Sequence, residues 1–134
     1  MAKILIVEDD QALYNLYDTE FSARGHQVSW AKTGEEGLKM VKEIQPGMVV
    51  LDLMLPGING LEVLSALKAD SATKSVPVVI LTNFGNEDNI AKALEGGAED
   101  FVLKYKIVPE EVVDKVEVLL GEEDSGVPLT SEGN

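Results

Sequence analysis

The amino-acid sequence predicts an α/β fold, a doubly wound five-stranded parallel sheet with helices on both faces. Two observations carry that expectation. Short apolar runs alternate five times with longer stretches of helical periodicity, which is the pattern of strand, crossover helix and next parallel strand. The runs at residues 4–7, 48–51 and 76–81 are apolar throughout, as central strands buried on both faces are; residues 26–31 alternate and residues 100–103 are short, as edge strands are. A strand order of 2-1-3-4-5 fits this composition.

Taken in order, Ile4 to Val7 is the first strand and ends in three acids, Glu8, Asp9 and Asp10. Asp10 is placed to cap a helix over residues 11–24, whose apolar positions Leu13, Leu16, Tyr17 and Phe21 fall three to four apart before Gly25 stops it. In the alternating run that follows, Val28 and Trp30 share one side, and His26 is expected at an exposed strand end. Tyr14, Tyr17 and Trp30 read as packing residues. Thr33 to Glu36 has capping-box spacing, with Leu38, Val41 and Ile44 as the apolar stripe and Pro46-Gly47 as the stop. After the third strand, Leu61, Leu64 and Leu67 mark a helix and residues 70–73 a loop. Pro77 is tolerable only near the start of the fourth strand, which ends in Thr82. Asn86 can cap a helix buried through Ile90, Ala91 and Leu94, with Gly96-Gly97 closing it. Asp100 to Leu103 leads into Lys104, and a last helix begins near Pro109, buries Val112, Val113, Val116, Leu119 and Leu120, and stops at Gly121.

The 134 residues, 45% of them hydrophobic, are one domain's worth of chain. Residues 1–121 are expected to be that domain, and residues 122–134 a flexible acidic and polar tail. Against 11 bases stand 24 acids, only four of which lie in the tail, so the charge of −13 belongs mostly to the folded part. That sign argues against nucleic-acid backbones and anionic membranes as direct partners. With no cysteine there is no disulfide, thiolate metal site or cysteine nucleophile. The N-terminal residues enter a strand directly, with neither a charged leader nor a long apolar segment, and a cytoplasmic location is expected.

Chemistry concentrates at residues 48–60. A buried strand, Met48 to Leu51, runs straight into Asp52, and a turn containing Pro56, Gly57, Asn59 and Gly60 follows. In an open α/β sheet the carboxyl ends of the strands form the rim where ligands bind. With strands one and three adjacent, Glu8, Asp9 and Asp52 converge there. Three carboxylates this close are relieved by a raised pKa or by a hard divalent cation, and an all-oxygen donor set favours Mg²⁺. Thr82 and Lys104 end the neighbouring strands and add a hydroxyl and an ammonium. A nucleophilic carboxylate, an acidic metal pocket and a separate cation suit phosphoryl transfer to Asp52, where catalysis is positioning plus charge.

At these residues the sequence resembles the receiver domains of two-component response regulators, over about residues 3–120. The resemblance rests on Ile4 to Asp9, Leu51 to Gly60, Ile80-Leu81-Thr82 and Ala93 to Lys104, four blocks in the family's order. It implies the flavodoxin-like (βα)5 receiver fold with the same strand order, and Asp52 as acceptor of a phosphoryl group from a sensor histidine kinase or a histidine phosphotransfer protein. It also implies Mg²⁺ (or Mn²⁺) on Asp9, Glu8 largely through water, Asp52 and the Met54 backbone carbonyl. Thr82 and Lys104 would hold the phosphoryl group, and Phe101 would change rotamer as Thr82 moves. The output would be binding of a downstream protein or a dimer mate through the surface of helix 4, strand 5 and helix 5, without enzymatic turnover beyond self-phosphorylation and slow self-dephosphorylation. No further domain is expected after Gly121, so a single-domain receiver is the expectation.

The sequence departs from the family at Tyr105, where most relatives carry a proline in a cis peptide. A cis bond before a non-proline residue costs about 2.5–4 kcal/mol, so a trans bond, a reshaped loop and reduced but real phosphorylation are expected. Met54 and Phe84, each two residues beyond a site residue, are apolar and placed to shield an acyl phosphate from water, giving a long-lived phosphorylated state. Phe101 reads equally well as plain core. Other functions fit less well: a haloacid-dehalogenase-type phosphatase needs an aspartate where Met54 stands, and a flavodoxin-like cofactor binder needs a Gly/Ser/Thr phosphate loop where Glu8-Asp9-Asp10 stands. An interaction module that keeps the fold without the phosphorylation chemistry is the main alternative.

Overall fold

A computed structural model describes residues 1–83, 87–104 and 108–121. Its elements follow one another as β1 (Lys3–Val7), α1 (Gln11–Ala23), β2 (Gln27–Ala31), α2 (Gly34–Ile44), β3 (Met48–Asp52), α3 (Gly60–Ala69), β4 (Val78–Thr82), α4 (Glu87–Glu95), β5 (Asp100–Leu103) and α5 (Pro109–Leu120). All strand pairs are parallel and the order is β2-β1-β3-β4-β5, as the apolar runs predict. β3 and β4 are buried at every position and β1 at all but its first residue, whereas β2 and β5, at the edges, are largely half-buried. The Asn86 cap, the Tyr105 peptide, Phe84 and the tail at 122–134 lie outside the described residues.

The sheet divides the core in two. One cluster joins Leu5, Val7, Val49, Leu51, Val78 and Ile80 to Val41, Val63, Leu64 and Leu67 of α2 and α3. The other joins Ile4, Ile6, Met48, Val50, Val79 and Leu81 to Leu13, Tyr17 and Phe21 of α1 and Val112, Val113 and Val116 of α5. Successive residues of each central strand thus feed opposite clusters, which is why those strands are apolar without alternation.

Helix ends match local chemistry. The Asp10 side chain accepts from the Leu13 N–H and begins α1. Thr33 accepts from the Glu36 N–H, while the Glu36 carboxylate accepts from the N–H of Lys32, one residue outside a standard capping box. Asn59 and Glu62 form a full capping box at the start of α3. The stop of α2 is Gln45, in a left-handed conformation (φ 48°), ahead of the expected Pro46-Gly47. β4 begins at Val78, so Pro77 lies just outside the strand.

Four expectations need correction. Leu16 of α1 is 53% exposed: Leu13, Tyr17 and Phe21, four apart, fill the buried stripe, and Leu16 turns away from it. In α4 the buried residue is Ala93, whereas Ala91 and Leu94 are exposed and Ile90 is half-buried. His26 is buried, because its Nδ1 accepts from the Ala2 N–H at 3.0 Å and its Nε2 lies 2.8 Å from Glu117 Oε2 on α5. Leu119, expected inside α5, sits at the margin with 36% exposure.

Candidate functional site

Each candidate residue stands at the carboxyl end of a strand or just beyond it. Glu8 follows β1, Asp52 and Thr82 are the last residues of β3 and β4, and Lys104 follows β5. Backbone bonds extend the ladder into the site: Glu8 N–H to Ala31 carbonyl at 3.0 Å, Leu53 N–H to Leu81 carbonyl at 3.0 Å, and Lys104 N–H to Thr82 carbonyl at 2.7 Å. Glu8, Asp52, Thr82 and Lys104 are all buried, and Asp9 alone of the acidic group is exposed.

One carboxylate oxygen from each of Glu8, Asp9 and Asp52 lies within 4.8 Å of the others. The Lys104 ammonium reaches into this group, with Nζ 2.8 Å from Asp52 Oδ2 and 2.9 Å from Glu8 Oε1. Asp52 Oδ1 accepts from the Met54 N–H at 3.0 Å and Glu8 Oε2 from the Asp10 N–H at 3.0 Å. The approach to Glu8 Oε1 lacks hydrogen-bond geometry, so that oxygen is fully buried beside a charge with no donor in line. Burial, and then the Asp52 charge, push the Glu8 carboxyl up to about 7 against the opposing pull of the Asp10 N–H and Lys104. Burial works to lower the Lys104 ammonium, but the hydrogen bond to Asp52, the close contact with Glu8 and the charges of both outweigh it and move it upward.

The donor set fits a hard divalent cation. Three carboxylates converge, one buried oxygen has no hydrogen-bond donor, and among the described residues no sulfur or imidazole ligand joins the group. A cleft of 370 Å³, lined in part by Asp9, Met54, Pro56, Asn59 and Asn89, opens beside it and gives solutes access. A larger groove lies away from the carboxylates, between β5 and α5.

Other expected residues stand further out. The Thr82 hydroxyl is buried and makes a long 3.4 Å contact with the Asn83 carbonyl. The Met54 side chain is 56% exposed, so what it contributes to the inner site in this structure is its backbone. Phe101 pairs with Ile80, two rungs from Thr82, and is half-buried with Lys115 Nζ 5.5 Å from its ring centroid.

Two contributors are not visible in the sequence reading. Gly60 opens α3 directly over the Asp52–Leu53 peptide, and a Cβ there would lie 2.6 Å from Leu53 Cα and closer still to the Asp52 carbonyl oxygen. Its N–H bonds the Leu53 carbonyl at 2.9 Å, so only glycine allows the helix to seat on the Asp52 turn. Trp30 donates its indole N–H to the Glu8 carbonyl at 2.7 Å. The available signal was register: the predicted order makes strands one and two neighbours, which places the end of the second beside Glu8.

Comparisons with known proteins agree with this geometry. The family model for the response regulator receiver domain matches residues 4–117. The chain is 38% identical over 104 residues to the transcriptional regulatory protein AfsQ1 of Streptomyces coelicolor, covering 78% of this chain and 45% of that protein. It is 36% identical over 133 residues to the DNA-binding response regulator MtrA of Mycolicibacterium smegmatis, covering 98% and 57%. The chain therefore spans about half the length of these curated relatives. Among solved structures, one described as a response regulator from Chloroflexus aurantiacus aligns with a TM-score of 0.83 at 29% identity, covering 90% of this chain and 98% of that one. The chemotaxis response regulator CheY4 of Vibrio cholerae aligns at 0.82 and 23% identity, covering 89% and 98%, a likeness of fold. With strand order, rim chemistry and a match over most of its length in agreement, the chain belongs to the receiver domains of two-component response regulators.

Proposed function

We propose that the chain is a phosphorylation-controlled switch in which Asp52 accepts a phosphoryl group from the phosphohistidine of a sensor kinase or a histidine phosphotransfer protein. The observation that carries this reading is the meeting of a buried strand-end carboxylate with an ammonium 2.8 Å away and two further carboxylates within 4.8 Å. An Asp52 oxygen attacks phosphorus; the new P–O bond forms as the P–N bond breaks, and the electron pair leaves on the imidazole nitrogen. Glu8, Asp9, Asp52 and the Met54 carbonyl would hold Mg²⁺ (or Mn²⁺), which when bound supplies charge to the oxygens in transfer. The Met54 N–H and the Lys104 ammonium orient the two Asp52 oxygens, so the nucleophile is fixed before the donor arrives. Lys104 then has the reach to pair with the phosphoryl group, and the Thr82 hydroxyl to donate to it. Met54, and Phe84 with it, would slow hydrolysis by keeping water from the acyl phosphate.

The output is binding rather than turnover. About two added negative charges at Asp52 bias an equilibrium of the Thr82 segment, α4 and Phe101. The surface of α4, β5 and α5 would take a downstream protein or a second copy of the chain. Its groove of 640 Å³, lined by Phe101, Leu103, Lys115 and Val118 among others, and the exposed Leu94 support that choice. The reading includes a cytoplasmic location and a receiver unit at residues 1–121 followed by a tail at 122–134. No helix among the described residues is long and apolar enough to cross a membrane.

Labelling with acetyl phosphate in Mg²⁺ is the direct test. Wild type should acquire one phosphoryl group by mass and Asp52→Asn none. Equal labelling of the two, or none of wild type, would leave only the interaction-module reading.

A further inference from the structure

We infer that Trp30 is a positioning residue for the acidic pocket, setting the Glu8–Asp9 peptide through its indole N–H. The inference rests on the reading of that pocket as a Mg²⁺ site. β1 and β2 pair in register up to Val7 and Ala31, and one further bond runs from the Glu8 N–H to the Ala31 carbonyl. The ladder ends there because the chain turns at Lys32 and Thr33 into the cap of α2. The next acceptor along β1 is the Glu8 carbonyl, and a side chain takes the rung: Trp30 Nε1 donates to it at 2.7 Å.

This bond holds one particular peptide. The Glu8 carbonyl and the Asp9 N–H share a plane, so anchoring the carbonyl fixes the direction in which the chain leaves β1 and from which the Asp9 carboxylate hangs. On the other side of the same turn, Glu8 Oε2 accepts from the Asp10 N–H. The two bonds set the Glu8 side chain and the Asp9 backbone relative to each other. Asp9 is exposed, so the direction of its backbone is what aims its carboxylate at the other two.

The indole is itself held. Tyr14 of α1 stacks on it with ring centroids 4.5 Å apart and planes 7° from parallel, and Lys32 Nζ lies 5.5 Å from its centroid. Phenylalanine at position 30 can keep the stack but has no donor. Groups that orient metal ligands from outside change metal affinity by about 10–100-fold when removed. Because Trp30 acts through one backbone carbonyl, the low end, about tenfold, is the expectation.

The experiment replaces Trp30 in the full chain by 3-benzothienylalanine, which keeps the indole's shape and lacks its N–H, with Trp30→Phe as a second variant. Mg²⁺ binding by calorimetry should weaken about tenfold in both, while the acetyl-phosphate labelling rate at saturating Mg²⁺ stays within about twofold of wild type. Undiminished Mg²⁺ affinity in the benzothienyl variant would overturn the inference, as would a saturated rate that falls with the affinity, the mark of a merely structural residue. Failure of wild type to take up Mg²⁺ would instead overturn the metal-site reading, and this inference with it.

Discussion

Replacing Lys104 by methionine tests whether its ammonium occupies charge territory that a divalent cation would otherwise take. Nζ lies 2.8 Å from Asp52 and 2.9 Å from Glu8, with all three side chains at 8% exposure or less. At an effective dielectric near 20, each contact is worth about 6 kcal/mol of Coulomb attraction before desolvation is subtracted. Removing one member of a buried ionic cluster is therefore expected to cost about 3–5 kcal/mol. The low end applies here, because Glu8, already pushed up to about 7, relieves the remaining repulsion by taking a proton. A loss of about 3 kcal/mol in a domain of this size lowers the melting temperature by about 12 °C. Mg²⁺ should then rescue the variant, since an ion at one hundred times its Kd returns about 2.7 kcal/mol. Thermal unfolding of wild type and Lys104→Met, with EDTA and with Mg²⁺, measures both terms. A variant that melts within 2 °C of wild type in EDTA, or that gains no more from Mg²⁺ than wild type does, would refute the competition.

Gly60→Ala forces a methyl group against the Asp52–Leu53 peptide, so about 1–3 kcal/mol of stability should be lost in urea unfolding, together with labelling of Asp52. At Glu117, burial works to raise the carboxyl, but hydrogen bonds from His26 and Arg24, and then the Arg24 charge, hold it below the usual glutamate range. A depressed folded pKa gives stability that is full above the unfolded value near 4.3 and is lost as pH falls through the folded value. The difference between wild type and Glu117→Gln should thus be about 1 kcal/mol at pH 7 and shrink steadily as pH is lowered below about 4, read by urea unfolding at each pH. Met54→Asn should shorten the lifetime of the phosphorylated form by several-fold, followed by loss of label after the phosphodonor is removed; an unchanged lifetime would remove Met54 from the shielding role.

The central strands were legible because burial on both faces leaves a plain mark, an unbroken apolar run, which a parallel sheet covered on both sides asks for. Helix faces were less legible. Leu16 is three residues from Leu13 and fits a stripe as well as Tyr17 does, but the groove that α1 fills against α5 admits the Leu13, Tyr17 and Phe21 row and leaves Leu16 outside. Ala93 is the buried residue of α4 although larger apolar neighbours were available, and position on the helix, not size, decides that. His26 shows the limit of local reading most clearly. An imidazole is buried only when its nitrogens have partners, and one of its two comes from Glu117, 91 residues away.

The site was legible for a related reason: strand order and strand ends together predict which side chains meet. They do not predict how the meeting charges arrange themselves. The sequence places Lys104 opposite the acidic pocket, whereas the structure puts its ammonium between Glu8 and Asp52, where three converging carboxylates most need a cation. In the proposed reading the two positions are states of one residue. The Lys104 N–H is held by the Thr82 carbonyl at 2.7 Å, so the backbone is anchored while the four-carbon stem can swing. Leaving Glu8 for a phosphoryl oxygen then asks for side-chain torsions alone. The same bond ties Lys104 to Thr82, so any shift of the β4 end that brings the Thr82 hydroxyl onto the phosphoryl group also moves the base of the lysine. In that reading the two groups that would hold the product are coupled through one backbone hydrogen bond, a route by which a change at Asp52 would be felt at β5 without rearranging the sheet.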